Sequence, residues 1–175
     1  MIDRVLCSRF ARHKGAYHDA EAVSHANART VRQRSRNATG KGKKLMPLIR
    51  IDVIRGRDPS QLRALADTVH EVLVETFAAP PRDRYQIISQ HEAGEMILLD
   101  TGLGFERSTD GVVVIQVTEQ GRTRDQKEAL YSALAARLAD RELVAPADLI
   151  ISISENTRAD WSFGFGKAQF LTGDL

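Results

Sequence analysis

Two stretches of the chain repeat the same order of hydrophobic and polar positions. The first begins with Leu48-Ile49-Arg50-Ile51-Asp52-Val53-Ile54, rich in strand formers. Asp58-Pro59-Ser60-Gln61 then has the chemistry of a helix start: Asp58 caps, Pro59 suits the first turn and Gln61 completes a capping box. Leu62, Leu65, Ala66, Val69, Leu73 and Phe77 follow at helical spacing, and Ala79-Pro80-Pro81 stops the helix. Residues Arg84 to Gln90 read as a second strand. In the second stretch, Val112 to Thr118 is the strand and Thr123 with Gln126 repeats the capping box. Leu130, Leu134 and Leu138 form the apolar stripe, and Pro146 precedes the strand Leu149 to Ser154.

A shift of 65 residues superposes the two stretches without a gap. Gly56-Arg57 falls on Gly121-Arg122, Gln61 on Gln126, Ala64-Leu65 on Ala129-Leu130, Pro81 on Pro146, Asp83 on Asp148 and Ser89 on Ser154. Each copy is strand, helix, strand, which closes as a parallel, right-handed crossover. The predicted fold is therefore α/β: two tandem β-α-β units forming a four-stranded mixed sheet with two helices on one face. Val112-Val113-Val114-Ile115 and Leu149-Ile150-Ile151 are apolar on both sides of the strand, the pattern of strands buried on both faces. Two helices cover one face only, so self-association is expected to cover the other.

Charge divides the chain at residue 45. Residues 1–45 hold eleven Lys and Arg against three acids, Asp3, Asp19 and Glu21, a net of +8. The remaining 130 residues hold 14 against 20, a net of −6. The basic part lacks the large apolar residues needed to offset ordering entropy and is expected to be disordered. The domain reading is a basic extension over 1–45 and a folded domain over 46–175. The extension has three readings: a sequence that precedes the true start at Met46, a solvated appendage, or an arm that binds nucleic acid through its charge. Its acids and lack of an amphipathic period argue against a targeting peptide. No apolar run approaches the roughly 18 residues of a membrane span. A single cysteine, Cys7, excludes a disulfide framework and points to a reducing cytoplasmic compartment.

Candidate chemistry is sparse. Gly102-Leu103-Gly104 lacks the third glycine of a dinucleotide fingerprint, and the five histidines have no metal-ligand spacing. His70 and His91 read as surface or boundary residues. Met46-Pro47 stands out at the composition switch. If the chain begins there and loses its methionine, Pro47 is a free secondary amine at the start of a strand, both base and nucleophile. Otherwise it is a strand-start proline. Arg57 and Arg122, each just after the first strand of its copy, are repeat-related cations suited to a substrate carboxylate.

From Met46 onward the chain resembles the tautomerase superfamily, whose members use an amino-terminal proline and are built from two β-α-β units. The likeness is strongest to its malonate semialdehyde decarboxylase branch. The stretches that carry it are Met46-Pro47-Leu48, Asp83-Arg84-Tyr85-Gln86, Ser89-Gln90-His91, Gly94-Glu95-Met96, Asp100-Thr101-Gly102-Leu103-Gly104, Ala159-Asp160-Trp161-Ser162-Phe163-Gly164 and Phe170-Leu171-Thr172-Gly173-Asp174-Leu175. The resemblance implies that Pro47 is the catalytic proline and that Asp83 activates water or positions substrate. It implies that Arg122 binds the substrate carboxylate and that Trp161, Phe163 and Phe170 form an apolar wall. Where the decarboxylases carry a second arginine, two residues before Arg122, this chain has Gln120, which hydrogen-bonds but brings no charge. The implied function is a cofactor-free, metal-free homotrimeric enzyme acting on small oxo acids, as keto-enol tautomerase or decarboxylase with hydratase activity. The rival is a non-catalytic oligomeric scaffold carrying a basic nucleic-acid-binding arm.

Overall fold

The computed structural model describes residues 46–99 and 102–175. The disorder expected over 1–45 lies outside the described residues. The described residues lie in one compact unit.

The elements follow the predicted order. Strand β1 (Leu48–Ile54) leads to helix α1 (Pro59–Phe77) and strand β2 (Tyr85–His91). Strand β3 (Val113–Glu119), helix α2 (Arg124–Asp140) and strand β4 (Leu149–Glu155) repeat the unit. Helix α3 (Gln169–Thr172) is a single turn near the C-terminus. Both capping boxes form: Asp58 accepts from the amides of Ser60 and Gln61, and Thr123 accepts from that of Gln126. Helix α1 ends at Ala78 in the left-handed conformation, ahead of the two prolines. Strands β2 and β3 sit one residue later than the composition suggests. The ladder decides: Tyr85 starts β2 because it pairs with Leu48, and His91 ends it opposite Ile54.

The sheet order is β2-β1-β3-β4. Strands β1 and β2 are parallel, as are β3 and β4, while β1 and β3 are antiparallel. This is the predicted mixed sheet. Ile49, Ile51 and Val53 of β1 and Val113, Ile115 and Val117 of β3 turn toward the helices and are at most 1% exposed. They pack with Leu65, Val69, Leu73 and Phe77 of α1 and Leu130, Leu134 and Leu138 of α2. The two helices are also joined by ion pairs, Arg137 with Glu75 at 2.8 Å and Arg141 with Glu71 at 2.7 Å.

The repeat is less regular than its sequence. Leu65, Val69 and Leu73 correspond to Leu130, Leu134 and Leu138 at the 65-residue shift. Yet the helix-facing positions, Ile49, Ile51 and Val53 of β1 and Val113, Ile115 and Val117 of β3, are all odd-numbered, and an odd shift cannot map one set onto the other. The turn between strand and helix absorbs the missing step. Gly56 lies at φ 144° and Gly121 at φ 60°, so the same Gly-Arg pair closes two different turns.

The face away from the helices is less apolar than expected. Val114 and Ile150 are half-buried there, but Gln116, Ser152 and Ser154 on the same face are exposed. On β1 and β2 the face carries a polar cluster. Asp52 accepts from Arg50 Nε at 3.0 Å and lies 2.8 Å from His91 Nε2, and Arg50 Nη2 lies 3.4 Å from Ser89 Oγ. Burial raises the pKa of Asp52, but the bonds from Arg50 and His91 outweigh it and hold the carboxyl below its ordinary range. Ile87 (50% exposed) and Tyr85 (43%) remain open on this face. None of the described helices is long and apolar enough to cross a membrane.

Candidate active site

Topology gathers one set of chain ends. Strands β1 and β2 begin where β3 and β4 finish, because the central pair is antiparallel. Pro47, Asp83, Gln120 and Asn156 therefore lie at one end of the sheet, with the C-terminus of α1 and the N-terminus of α2. Arg57 follows the far end of β1. A seven-residue strand separates it from Pro47 by about 20 Å.

Pro47 is buried and lines a pit with His70, Leu73, Asp83, Arg84 and Tyr85. With Met46 in place, itself 8% exposed, the pit measures about 10 Å³. That is room for about one water. Asp83 reaches the pit from the turn that follows α1, where its backbone N–H donates to Pro80 O at 3.0 Å. Among the described residues its carboxylate forms no hydrogen bond or ion pair, so both oxygens are available. His70, read from sequence as a boundary residue, lines the same pit with Nε2 3.0 Å from Pro81 O.

Gln120 and Arg122 occupy the strand–helix turn beside this end. Gln120 is 4% exposed, and among the described residues neither its amide oxygen nor its amide nitrogen has a hydrogen-bond partner. A buried amide in that state costs free energy unless something completes it. The Arg122 guanidinium lies over the ring of Phe77, its carbon 5.3 Å from the ring centre. Burial lowers its pKa and the charge of Glu119 opposes that shift. Glu119, 1% exposed, accepts from the Arg122 backbone N–H at 3.1 Å and pairs with Lys127 at 3.0 Å. A buried carboxylate thus fixes the turn that presents both side chains.

The aromatic wall comes from the segment after β4. Trp161 and Phe163 stack at 5.4 Å, and Phe163 meets Phe170 edge-on at 5.2 Å. Trp161 Nε1 donates to Asn156 Oδ1 at 3.0 Å, which ties the cluster to the end of β4. Tyr85 joins the wall to the pit, packing on Phe163 at 5.8 Å while lining the cavity of Pro47. Its role is not evident from composition. Its place at the start of β2, two residues after Asp83 in Asp83-Arg84-Tyr85-Gln86, is the signal that finds it.

Arg57 does not join these residues. At the opposite end, its Nη2 donates to Gly111 O at 3.0 Å. Burial lowers its pKa, and the carboxylates of Asp110 and Asp148 oppose that shift. Asp148, the repeat counterpart of Asp83, is 6% exposed and accepts from both the amide and the hydroxyl of Ser108 at 2.7 Å. The segment entering β3 fills that end and satisfies its charges. Within one chain the two repeat-related arginines, both expected at substrate, lie apart, because an antiparallel central pair sends the two copies' turns to opposite ends. Among the described residues no three His, Cys, Asp or Glu side chains gather to hold a metal.

Known proteins resemble the chain from Pro47 onward. Two family models described as "Tautomerase enzyme" match residues 47–106 and 83–164. The probable tautomerase YrdN of Bacillus subtilis (strain 168) is 52% identical over 130 residues, covering 74% of this chain and 100% of that protein. A malonate semialdehyde decarboxylase structure, described for decarboxylase and hydratase activities, is 44% identical with a TM-score of 0.67, covering 73% of this chain and 98% of that one. The FG41 malonate semialdehyde decarboxylase inhibited by 3-bromopropiolate is 48% identical, also at 0.67, covering 73% and 97%. A fused 4-OT, crystallised as a symmetric trimer, shares the fold at 20% identity and a TM-score of 0.59, covering 72% and 98%.

Proposed function

The chain belongs to the tautomerase family, and on that premise we propose that it acts as an amino-terminal-proline enzyme on small 3-oxo acids, once Pro47 is its first residue. The observation that carries this reading is the meeting of Pro47 and Asp83 in one pit, with Arg122 at the same end of the sheet. While Met46 precedes it, the Pro47 nitrogen is an amide and has no basic lone pair. Removing the upstream residues frees a secondary amine and vacates the space of the buried Met46 side chain.

Decarboxylation, with hydration as a side activity, fits the charges better than tautomerisation. A tautomerase needs a neutral amine as base. Here Asp83 shares the pit, and its negative charge favours the ammonium form. Pro47 as ammonium hydrogen-bonds the 3-oxo oxygen and draws electrons toward it. Arg122, with the Gln120 amide, holds the carboxylate. When the bond between C2 and the carboxyl carbon breaks, CO₂ leaves and the electron pair passes into an enolate whose oxygen takes a proton from Pro47. Tautomerisation then places a proton on C2 and releases the aldehyde, and solvent returns a proton to the amine. The aromatic wall of Trp161, Phe163 and Phe170 keeps the carboxylate poorly hydrated, which favours its loss. Asp83 accepts from a water and orients it to add to the oxo carbon. No organic cofactor or metal enters these steps. A homotrimer over 46–175, as in the trimeric crystal structure sharing this fold, is part of the proposal.

The deciding experiment compares the full chain with one processed to Pro47, each verified by intact mass. Malonate semialdehyde is followed by proton NMR, and labelling by 3-bromopropiolate is mapped by peptide mass. The processed chain is expected to turn over substrate and carry the label on Pro47, and the full chain to do neither. Equal activity in both removes the amine mechanism. No activity in the processed chain favours the scaffold reading.

A further inference from the structure

The turn that carries Asp83 is unusual in its hydrogen bonding. Pro80 and Pro81 have no N–H, so two successive residues cannot anchor it as donors. Within the turn, the Asp83 N–H donates to Pro80 O at 3.0 Å. The Pro81 carbonyl is left to a side chain from outside. His70 supplies it, with Nε2 at 3.0 Å. A carbonyl only accepts, so that nitrogen bears the proton, in the neutral ring or the imidazolium alike.

The other side of Asp83 is tied to the same helix. Arg84 Nη1 lies 2.5 Å from Asp67 Oδ1, and its Nε donates to Gln86 Oε1 at 2.6 Å. Gln86 Nε2 in turn donates to Ala66 O at 2.9 Å. Asp67 and His70 stand three residues apart on one face of α1. The helix therefore grips the turn at residue 81 and again at residue 84. Asp83 lies between the two grips and forms no side-chain bond of its own among the described residues.

We propose that His70 is a positioning residue, which aims the Asp83 carboxylate into the pit by holding the Pro81 carbonyl. The proposal rests on the reading that Asp83 works on the substrate. Asp67 and Arg84 hold the downstream side only, and Pro81 and Arg82 are exposed. Loss of the His70 bond leaves the upstream half of the turn without a side-chain anchor, and a displacement of about 1 Å at a reacting group costs up to about a hundredfold in rate.

The test uses the chain processed to Pro47, which keeps nearly all of the compact unit, with malonate semialdehyde as probe. His70→Ala is expected to lower kcat about tenfold with KM within twofold and melting close to the parent. His70→Gln, whose amide reaches the same carbonyl, is expected to restore most of the loss. His70→Ala combined with Asp83→Asn is expected to be no slower than Asp83→Asn alone. Multiplicative losses in the double variant, parental kcat in His70→Ala, or no rescue by glutamine overturns the proposal. The Asp83 carboxyl carbon, assigned by ¹³C NMR through its loss in Asp83→Asn, is the readout that needs no turnover. Its signal is expected to move in His70→Ala and return in His70→Gln, and an unmoved signal overturns the proposal whatever the activity. Parental kcat in Asp83→Asn removes instead the reading of Asp83 on which the proposal rests.

Discussion

Replacing Gln120 by leucine separates what the residue does for stability from what it does for the ligand. The side chain is 4% exposed, and among the described residues its amide oxygen and nitrogen both lack hydrogen-bond partners. Leaving a buried polar group unsatisfied costs about 1–3 kcal/mol. Leucine fills nearly the same volume without those groups, so Gln120→Leu is expected to stabilise the full chain by about 2 kcal/mol. For a protein of this size that corresponds to about 4–8 °C in melting temperature. Urea unfolding, with an unchanged dependence on denaturant, checks the gain at 25 °C. The same change removes the side-chain amide donor that Gln120 offers an anion. In the chain processed to Pro47, KM for malonate semialdehyde is expected to rise about 10- to 100-fold, the range for a hydrogen bond to a charged group. A variant that is more stable and binds substrate worse supports the reasoning. A variant less stable than the parent by 1 kcal/mol or more, or one with parental KM, refutes it.

Arg122→Ala is expected to lower kcat/KM by about 2–5 kcal/mol in the processed chain, whereas Arg57→Ala at the far end should leave it within twofold; steady-state kinetics on both distinguishes them. Leu134→Ala, at a position 0% exposed, is expected to cost about 2–5 kcal/mol in urea unfolding. Arg137→Ala breaks a partly exposed ion pair and should cost less than about 1 kcal/mol. Asp52 has a folded pKa below its unfolded value, so its stabilisation is present above the unfolded pKa and is lost as pH falls through the folded one. Unfolding followed from pH 7 to pH 3 should show a shallower decline in Asp52→Asn than in the parent.

Much of the fold was readable because its signals are local. A capping box needs residues three apart, and a helix stripe needs a period, and both are written in the chain at Asp58, Gln61, Thr123 and Gln126. Strand ends were displaced by one residue because pairing decides them, and pairing is not local. The candidate site was legible only in part. Pro47 stood out through the methionine before it, whereas the C-terminal aromatics have no periodic signal and were reached through family resemblance. The two arginines look alike in sequence because their local surroundings match. Their separation follows from the antiparallel pairing of β1 with β3, a relation between residues some 65 positions apart. One histidine on a helix, His70, carries no signal until the two-proline turn opposite is known to leave the Pro81 carbonyl to it.

The two ends of the sheet differ although the two halves repeat one sequence pattern. One keeps open carboxylate oxygens and a buried amide without partners; the other has closed its charges with Gly111, Ser108 and Asp148. That is a division of labour along one strand length. If the open end is the working one, as proposed, changes that tighten the closed end do not pass through the chemistry, and it is where an engineer can staple, graft or immobilise the molecule.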